Sequence, residues 1–357
     1  MLKRLAWLSV LLILAAGGMA AVLYVRVHQP YRGYAEPDRY VVIPPGAGSR
    51  AIGDRLVAAG IVRDITTYRL ALYVSGQGRH LQAGEYRFDG AMTPFDAIDK
   101  IARGDVIVIT VTFPEGLTVA EMSKIFEARG LGAAPAFVAA ARDPEPIRDL
   151  DPAAKDLEGY LFPDTYPLSR QTDAVQLVRL MVARFAHTFS PELRRAAAER
   201  HLTVRQAVTL ASIVEKETAR PDERRFVAAV YARRLQIGMA LQCDPTVIYA
   251  LQRAGKYGGN LRREDLAFDS PYNTYRYPGL PPGPIASPGR AALEASVRPA
   301  EADFLYFVSR NDGSHAFART LEEHNKNVQR FQVQYFRDRR AGGLSRAGGA
   351  GRAGRDR

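Results

Sequence analysis

The sequence predicts an α+β protein behind a single N-terminal transmembrane helix, on three observations. Leu5 to Val25 carries no charge over about 21 residues, enough to span the hydrocarbon core of a bilayer. A strand, a Pro/Gly turn and a helix then occur twice, with Pro44 and Pro114, Gly46 and Gly116, and Gly60 and Gly130 in register at one offset of 70. From about residue 172 to 238 the pattern is helical, and beyond it come long Pro-rich loops and a short hairpin.

Residues 1–4 are basic, and Lys3 and Arg4 place the N-terminus in the cytoplasm, although Arg26 and Arg32 follow closely and leave little charge bias. A cleaved signal peptide competes with an anchor, since small residues fill 15–21. Apolar residues running on through Val25 favour the uncleaved anchor, which leaves the remaining chain outside. Residues 26–39 contain Pro30, Gly33 and Pro37 and read as a linker. Tyr40–Ile43 reads as a strand, with a helix from Ala51 to Gly60. Leu81–Phe88 is a second strand, and Thr93–Ala102 a helix closed by Gly104. This pattern over 40–104 suits a small carbohydrate-binding module or a packing domain without ligand. The second copy occupies 105–150, where Thr118 and Glu121 form a capping box. Residues 131–157 read as mostly helical. Glu158 to Tyr166 interleaves aromatics with turn residues, a composition that suits stacking on sugar rings or packing a loop onto a core.

Helices follow at about 172–187, 191–200 and 203–218, and Pro221 opens another that ends near Gly238. The region from Leu241 to Ile285 reads as loop. Leu305–Val308 and His315–Phe317 form a hairpin, and a final helix runs from Leu321 to about Arg339. Residues 340–357 are Gly/Arg-rich, cannot build a core and are expected to be disordered.

The 357 residues carry a net charge of +11, but the basic residues are dispersed, and four of the arginines lie in the tail from Ala341. A nucleic-acid partner is therefore not expected. The single cysteine, Cys243, excludes an intrachain disulfide, and the six histidines show no metal-ligand spacing, so neither a metal nor a cofactor is expected.

The most unusual chemistry lies in the helix opened by the Thr203–Gln206 capping box. At about 100° per residue, Leu210, Ile213, Val214 and Glu217 fall together, while Arg205, Thr209, Ser212 and Lys216 form a polar stripe. Glu217 sits in the apolar arc and Glu215 at its other edge. A partly buried carboxyl has a raised pKa, the condition a general acid needs near neutrality. Salt bridges to Lys216, Arg220 or Arg224 would explain the same two residues, and helical geometry does not choose between them.

The segments ASIVEKET (211–218), GMALQCDPTVIYAL (238–251), SPYNTY (270–275) and GLPPGPIASPG (279–289), in this order behind a membrane anchor, closely resemble the endolytic murein transglycosylases, the YceG-like family. The resemblance implies LysM-like N-terminal modules, over 40–104 and a repeat-like 105–150. It also implies a mainly helical, lysozyme-like catalytic domain over 151–339. The family's essential glutamate is the second of the E-K-E pair, which falls on Glu217. Glu215, Gln242, Asp244, Asn273 and Tyr275 become candidate supporting residues. Cys243 replaces another small residue common in the family. The implied reaction is nonhydrolytic cleavage of the β-1,4 bond between N-acetylmuramic acid and N-acetylglucosamine, leaving 1,6-anhydro ends that terminate nascent strands. The implied setting is the periplasmic side of the inner membrane. The implied partners are peptidoglycan strands, the membrane and peptidoglycan synthases. A muramidase, with Asp244 or Glu223 as second carboxylate, and a noncatalytic glycan-binding anchor are the rival readings.

Overall fold

A computed structural model describes residues 2–170 and 172–337. The expected disorder of 340–357 lies outside them. The chain forms two compact units, one of residues 1–110 with 167–171 and one of 111–166 with 172–357.

In the first unit, α1 (Leu2–His28) is long and apolar enough over Val10–His28 to cross a membrane. Its last turn is different: Val27 is buried in the unit's core, beside Val41, Ile52, Leu56 and Tyr86. β1 (Arg39–Ile43) leads to α2 (Ser49–Ala58) and α3 (Ile65–Ser75). The sequence pattern does not announce α3; its N-cap is Asp64, whose carboxylate accepts from the Thr67 N–H at 2.8 Å. β2 (Gly84–Phe88) pairs antiparallel with β1, Val41 opposite Tyr86, and α4 (Pro94–Arg103) closes the unit.

β3 (Ile109–Thr112) carries the chain into the second unit, followed by α5 (Val119–Ala128). The internal repeat is reproduced in the backbone, because α5 stands 70 positions after α2 at both ends. Gly46 and Gly116 both have φ of +77°, a conformation that a Cβ disfavours and that turns each strand into its helix. Residues 131–157 are less helical than expected. Only α6 (Ala134–Ala141) and a 3-10 turn over Glu145–Ile147 form, and the rest is turns. β4 (Thr165–Leu168) pairs with β3, the Thr112 and Thr165 hydroxyls 2.9 Å apart.

α7 (Ala174–Thr188), α8 (Pro191–Glu199), α9 (Val204–Glu217) and α10 (Arg224–Gln236) follow the predicted order. Both predicted capping boxes are present, at Thr118–Glu121 and Thr203–Gln206. The middle of the polar stripe expected on α9 is not solvated: every residue from Ala207 to Val214, Thr209 and Ser212 included, is buried, while Lys216 is exposed and Arg205 half-buried. Ser212 is accommodated because its hydroxyl donates to the Thr209 carbonyl at 2.7 Å and accepts the Ile285 N–H at 3.0 Å. α9 is thus the central helix of this unit.

The region read as loop from Leu241 contains a helix, α11 (Asp244–Arg253), which Pro245 opens in its first turn. α12 (Arg290–Val297) packs on α9. β5 (Tyr306–Ser309) and β6 (His315–Ala318) form the expected antiparallel hairpin, and α13 (Leu321–Val328) runs on into a π-helical turn over Gln329–Gln334.

Candidate active site

The last turn of α9 presents its two glutamates to different neighbours. Glu215 is an ion-pair and capping residue. Its Oε1 accepts from the Arg224 guanidinium at 3.2 Å and its Oε2 from the Gly289 N–H at 2.9 Å, at the start of α12. A Cβ at position 289 would require the half-exposed Glu115 side chain to move aside. Burial pushes the Glu215 carboxyl upward, and the Gly289 N–H and Arg224 oppose it.

Glu217 has no such cation. Its Oε1 accepts from the Tyr231 hydroxyl on α10 at 2.6 Å, and Cys243 is buried in the same cluster as Tyr231 and acts electrostatically on the carboxyl. Burial raises the carboxyl above its ordinary value. Tyr231 and Cys243 oppose the rise, Asp244 adds to it and His315 offsets it in part. The residue as a whole is only half-buried, at the end of α9.

The loops around Glu217 are tied down by buried hydroxyls. Thr274 Oγ1 accepts from the Cys243 N–H at 3.0 Å and lies 2.9 Å from Thr246 Oγ1, which donates to the Cys243 carbonyl at 2.7 Å. The Gln242 N–H reaches the Thr274 carbonyl at 3.2 Å. Gln242 itself is exposed, with a left-handed φ of +51°, a conformation uncommon for a residue with a Cβ.

Asp244 and Tyr275 come together: the phenol donates to Asp244 Oδ1 at 2.6 Å, and both act electrostatically on the Glu217 region. Asn273 does not join them through its amide. That side chain is fully buried, donates to the Leu266 and Phe268 carbonyls at 3.0 and 2.7 Å and accepts the Tyr275 N–H at 3.0 Å, so it shapes the loop that delivers Tyr275.

Sequence reasoning misses two residues of the site. By pattern Tyr231 belongs only to the buried side of its helix, and no local signal links it to a carboxyl 14 positions earlier on another helix. Cys243 reads in the sequence as a substitution without catalytic consequence, and the structure buries it in the cluster that holds Tyr231, where it acts electrostatically on Glu217. Glu223 is bound to the hairpin: it accepts from the His315 N–H at 2.9 Å, and its Oε2 is 2.6 Å from His315 Nδ1. A separate 980 Å³ groove, lined by residues such as Asp164, Arg184, His187 and Arg298, does not include Glu217. Among the described residues no group of acidic, His and Cys side chains is arranged to hold a metal ion.

The sequence profile of the YceG-like family matches residues 41–330. The endolytic murein transglycosylase of Bacillus subtilis is 32% identical over 311 residues, covering 81% of this chain and 83% of that protein. The endolytic murein transglycosylase of Streptococcus pneumoniae D39 is 31% identical over 360 aligned residues, which cover 91% of this chain and 64% of that longer protein. A crystal structure of a YceG-like protein from Listeria monocytogenes matches with a TM-score of 0.55 at 30% identity, over 82% of this chain and 99% of that one. With a profile match over most of its length, the chain belongs to the YceG-like family.

Proposed function

We propose that this protein is an endolytic lytic transglycosylase that cleaves the glycan strands of peptidoglycan, with Glu217 as its single acid/base. The relatives' names supply the reaction class. The observation that carries the residue assignment is the setting of Glu217: a carboxyl whose burial raises its pKa, with the uncharged Tyr231 hydroxyl and no cation as its hydrogen-bond partner. In the first step Glu217 protonates the glycosidic oxygen between N-acetylmuramic acid and N-acetylglucosamine, and the C1–O bond breaks. In the second, the carboxylate takes the proton from the muramoyl C6 hydroxyl, whose oxygen closes on C1 to give the 1,6-anhydro ring. No water is consumed and Glu217 ends protonated, as it began.

The rival muramidase needs a second carboxylate. The engagement of Glu223 by His315 and of Asp244 by Tyr275 favours the single-carboxyl route. The Asp244–Tyr275 pair is suited to hold polar groups of the sugar, and Gln242 to present its exposed amide beside them. On this reading residues 151–339 form a lysozyme-like catalytic domain, 105–150 a repeat-like subdomain and 40–104 a LysM-like glycan-binding module. A 900 Å³ cleft lined by Ser49, Arg50, Arg69, Tyr73 and Arg79 supports the last assignment, because it offers an aromatic face and hydrogen-bond donors to a sugar. α1 anchors the protein in the inner membrane with its bulk in the periplasm, beside the synthases whose nascent strands it terminates.

Mass spectrometry of products from purified strands tests the reaction. Anhydro ends support the transglycosylase, and reducing ends in their place reject it.

A further inference from the structure

We propose that Tyr231 is a positioning residue that fixes the acid proton of Glu217 on Oε2, and that Tyr231 and the buried Cys243 beside it together set the pH at which that proton is lost. The proposal rests on Glu217 being the general acid.

Tyr231 is buried, and its hydroxyl is 2.6 Å from Glu217 Oε1. A carboxyl oxygen that accepts so short a bond from a phenol is the poorer place for the acid's own proton, so the proton resides on the other oxygen. Burial, together with the carboxyl and thiol alongside, pushes the Tyr231 phenol well up, so it remains a donor throughout the working pH range.

Cys243 is fully buried at the N-cap of α11, and three bonds lock its backbone: its N–H to Thr274 Oγ1, and its carbonyl to the Thr246 N–H at 3.1 Å and the Thr246 hydroxyl. The backbone that carries the thiol is therefore fixed, and Cys243 packs in the same buried cluster as Tyr231. Burial and the adjacent carboxyl raise the thiol as well, keeping it a neutral S–H donor. Two neutral donors stabilise the carboxylate formed after the first proton transfer, and neither adds the fixed positive charge that Arg224 gives Glu215. That balance suits a group that must act as acid and then as base.

The pH dependence of kcat/KM for anhydro-end formation by the full-length protein in detergent tests the proposal. Tyr231→Phe is expected to move the alkaline limb up by about one pH unit and to slow the reaction about 10- to 100-fold. Cys243→Ala should move the limb the same way by less, and Cys243→Ser, which keeps a donor in place, should restore it. If Tyr231→Phe fails to fold, the Cys243 pair decides. Limbs unmoved from the wild type in the folded variants overturn the proposal, whatever their rates. A Glu217→Gln variant keeps the two failures apart. Full activity there rejects Glu217 as the acid, whereas an inactive Glu217→Gln with unmoved limbs elsewhere rejects only the roles of Tyr231 and Cys243.

Discussion

Glu215 and Glu217 lie two residues apart on one helix, and their carboxyls have opposite electrostatic surroundings. Arg224 is 3.2 Å from the first, and the uncharged Tyr231 hydroxyl is 2.6 Å from the second. On the proposed function, the difference divides structural from chemical work. Glu215→Gln leaves the buried Arg224 with only the more exposed Glu115 as ionic partner, at 3.5 Å, and should cost about 2–3 kcal/mol. Glu217→Gln removes a desolvated acid and should leave the melting temperature unchanged or raised. Thermal unfolding of the two variants checks this, and a larger loss in Glu217→Gln would contradict it.

Glu158 makes stability depend on pH. It accepts from the Val119 N–H at 3.0 Å and from the Tyr249 hydroxyl at 3.2 Å, and burial raises its carboxyl to about 8 from 4.5. Between those values the folded state holds a proton that the unfolded state has released. The stabilisation is complete below about 4.5 and is lost as pH rises through about 8. Wild-type melting temperature should therefore fall across this window, and Glu158→Gln should flatten the slope. Parallel slopes for the two proteins would remove the assignment.

Asn273 and Tyr275 should separate by phenotype. Asn273→Asp turns a double donor toward the Leu266 and Phe268 carbonyls into an acceptor, and should destabilise the protein by about 2–4 kcal/mol. Tyr275→Phe removes one bond to an exposed Asp244 and should change stability by less than about 1 kcal/mol while slowing glycan cleavage. Denaturant unfolding alongside activity distinguishes them.

Local signals make much of this fold legible. The Thr118 and Thr203 capping boxes, the offset of 70 between the two turn–helix units and the His315 hairpin all depend on residues within a few positions of each other. α11 is hidden because Asp-Pro reads as a turn when it can equally open a helix. Ser212 misleads because a hydroxyl can be buried once both its bonding roles are met, and its partner at Ile285 lies 73 positions away; Thr209 is buried with its hydroxyl unpartnered. Glu217 can be singled out by the family resemblance. Its Tyr231 and Cys243 neighbours cannot, since only the packing of α9, α10 and the loop before α11 brings them together.

The proposed function assigns both proton transfers to one carboxyl, on Glu217. Its most direct test is the rate of anhydro-end formation from purified glycan strands by wild type and by Glu217→Gln, with folding of both verified by thermal unfolding. The expected result is a folded variant slowed by at least about 100-fold, with no reducing ends taking the place of anhydro ends. A folded Glu217→Gln that cleaves strands at the wild-type rate would contradict it.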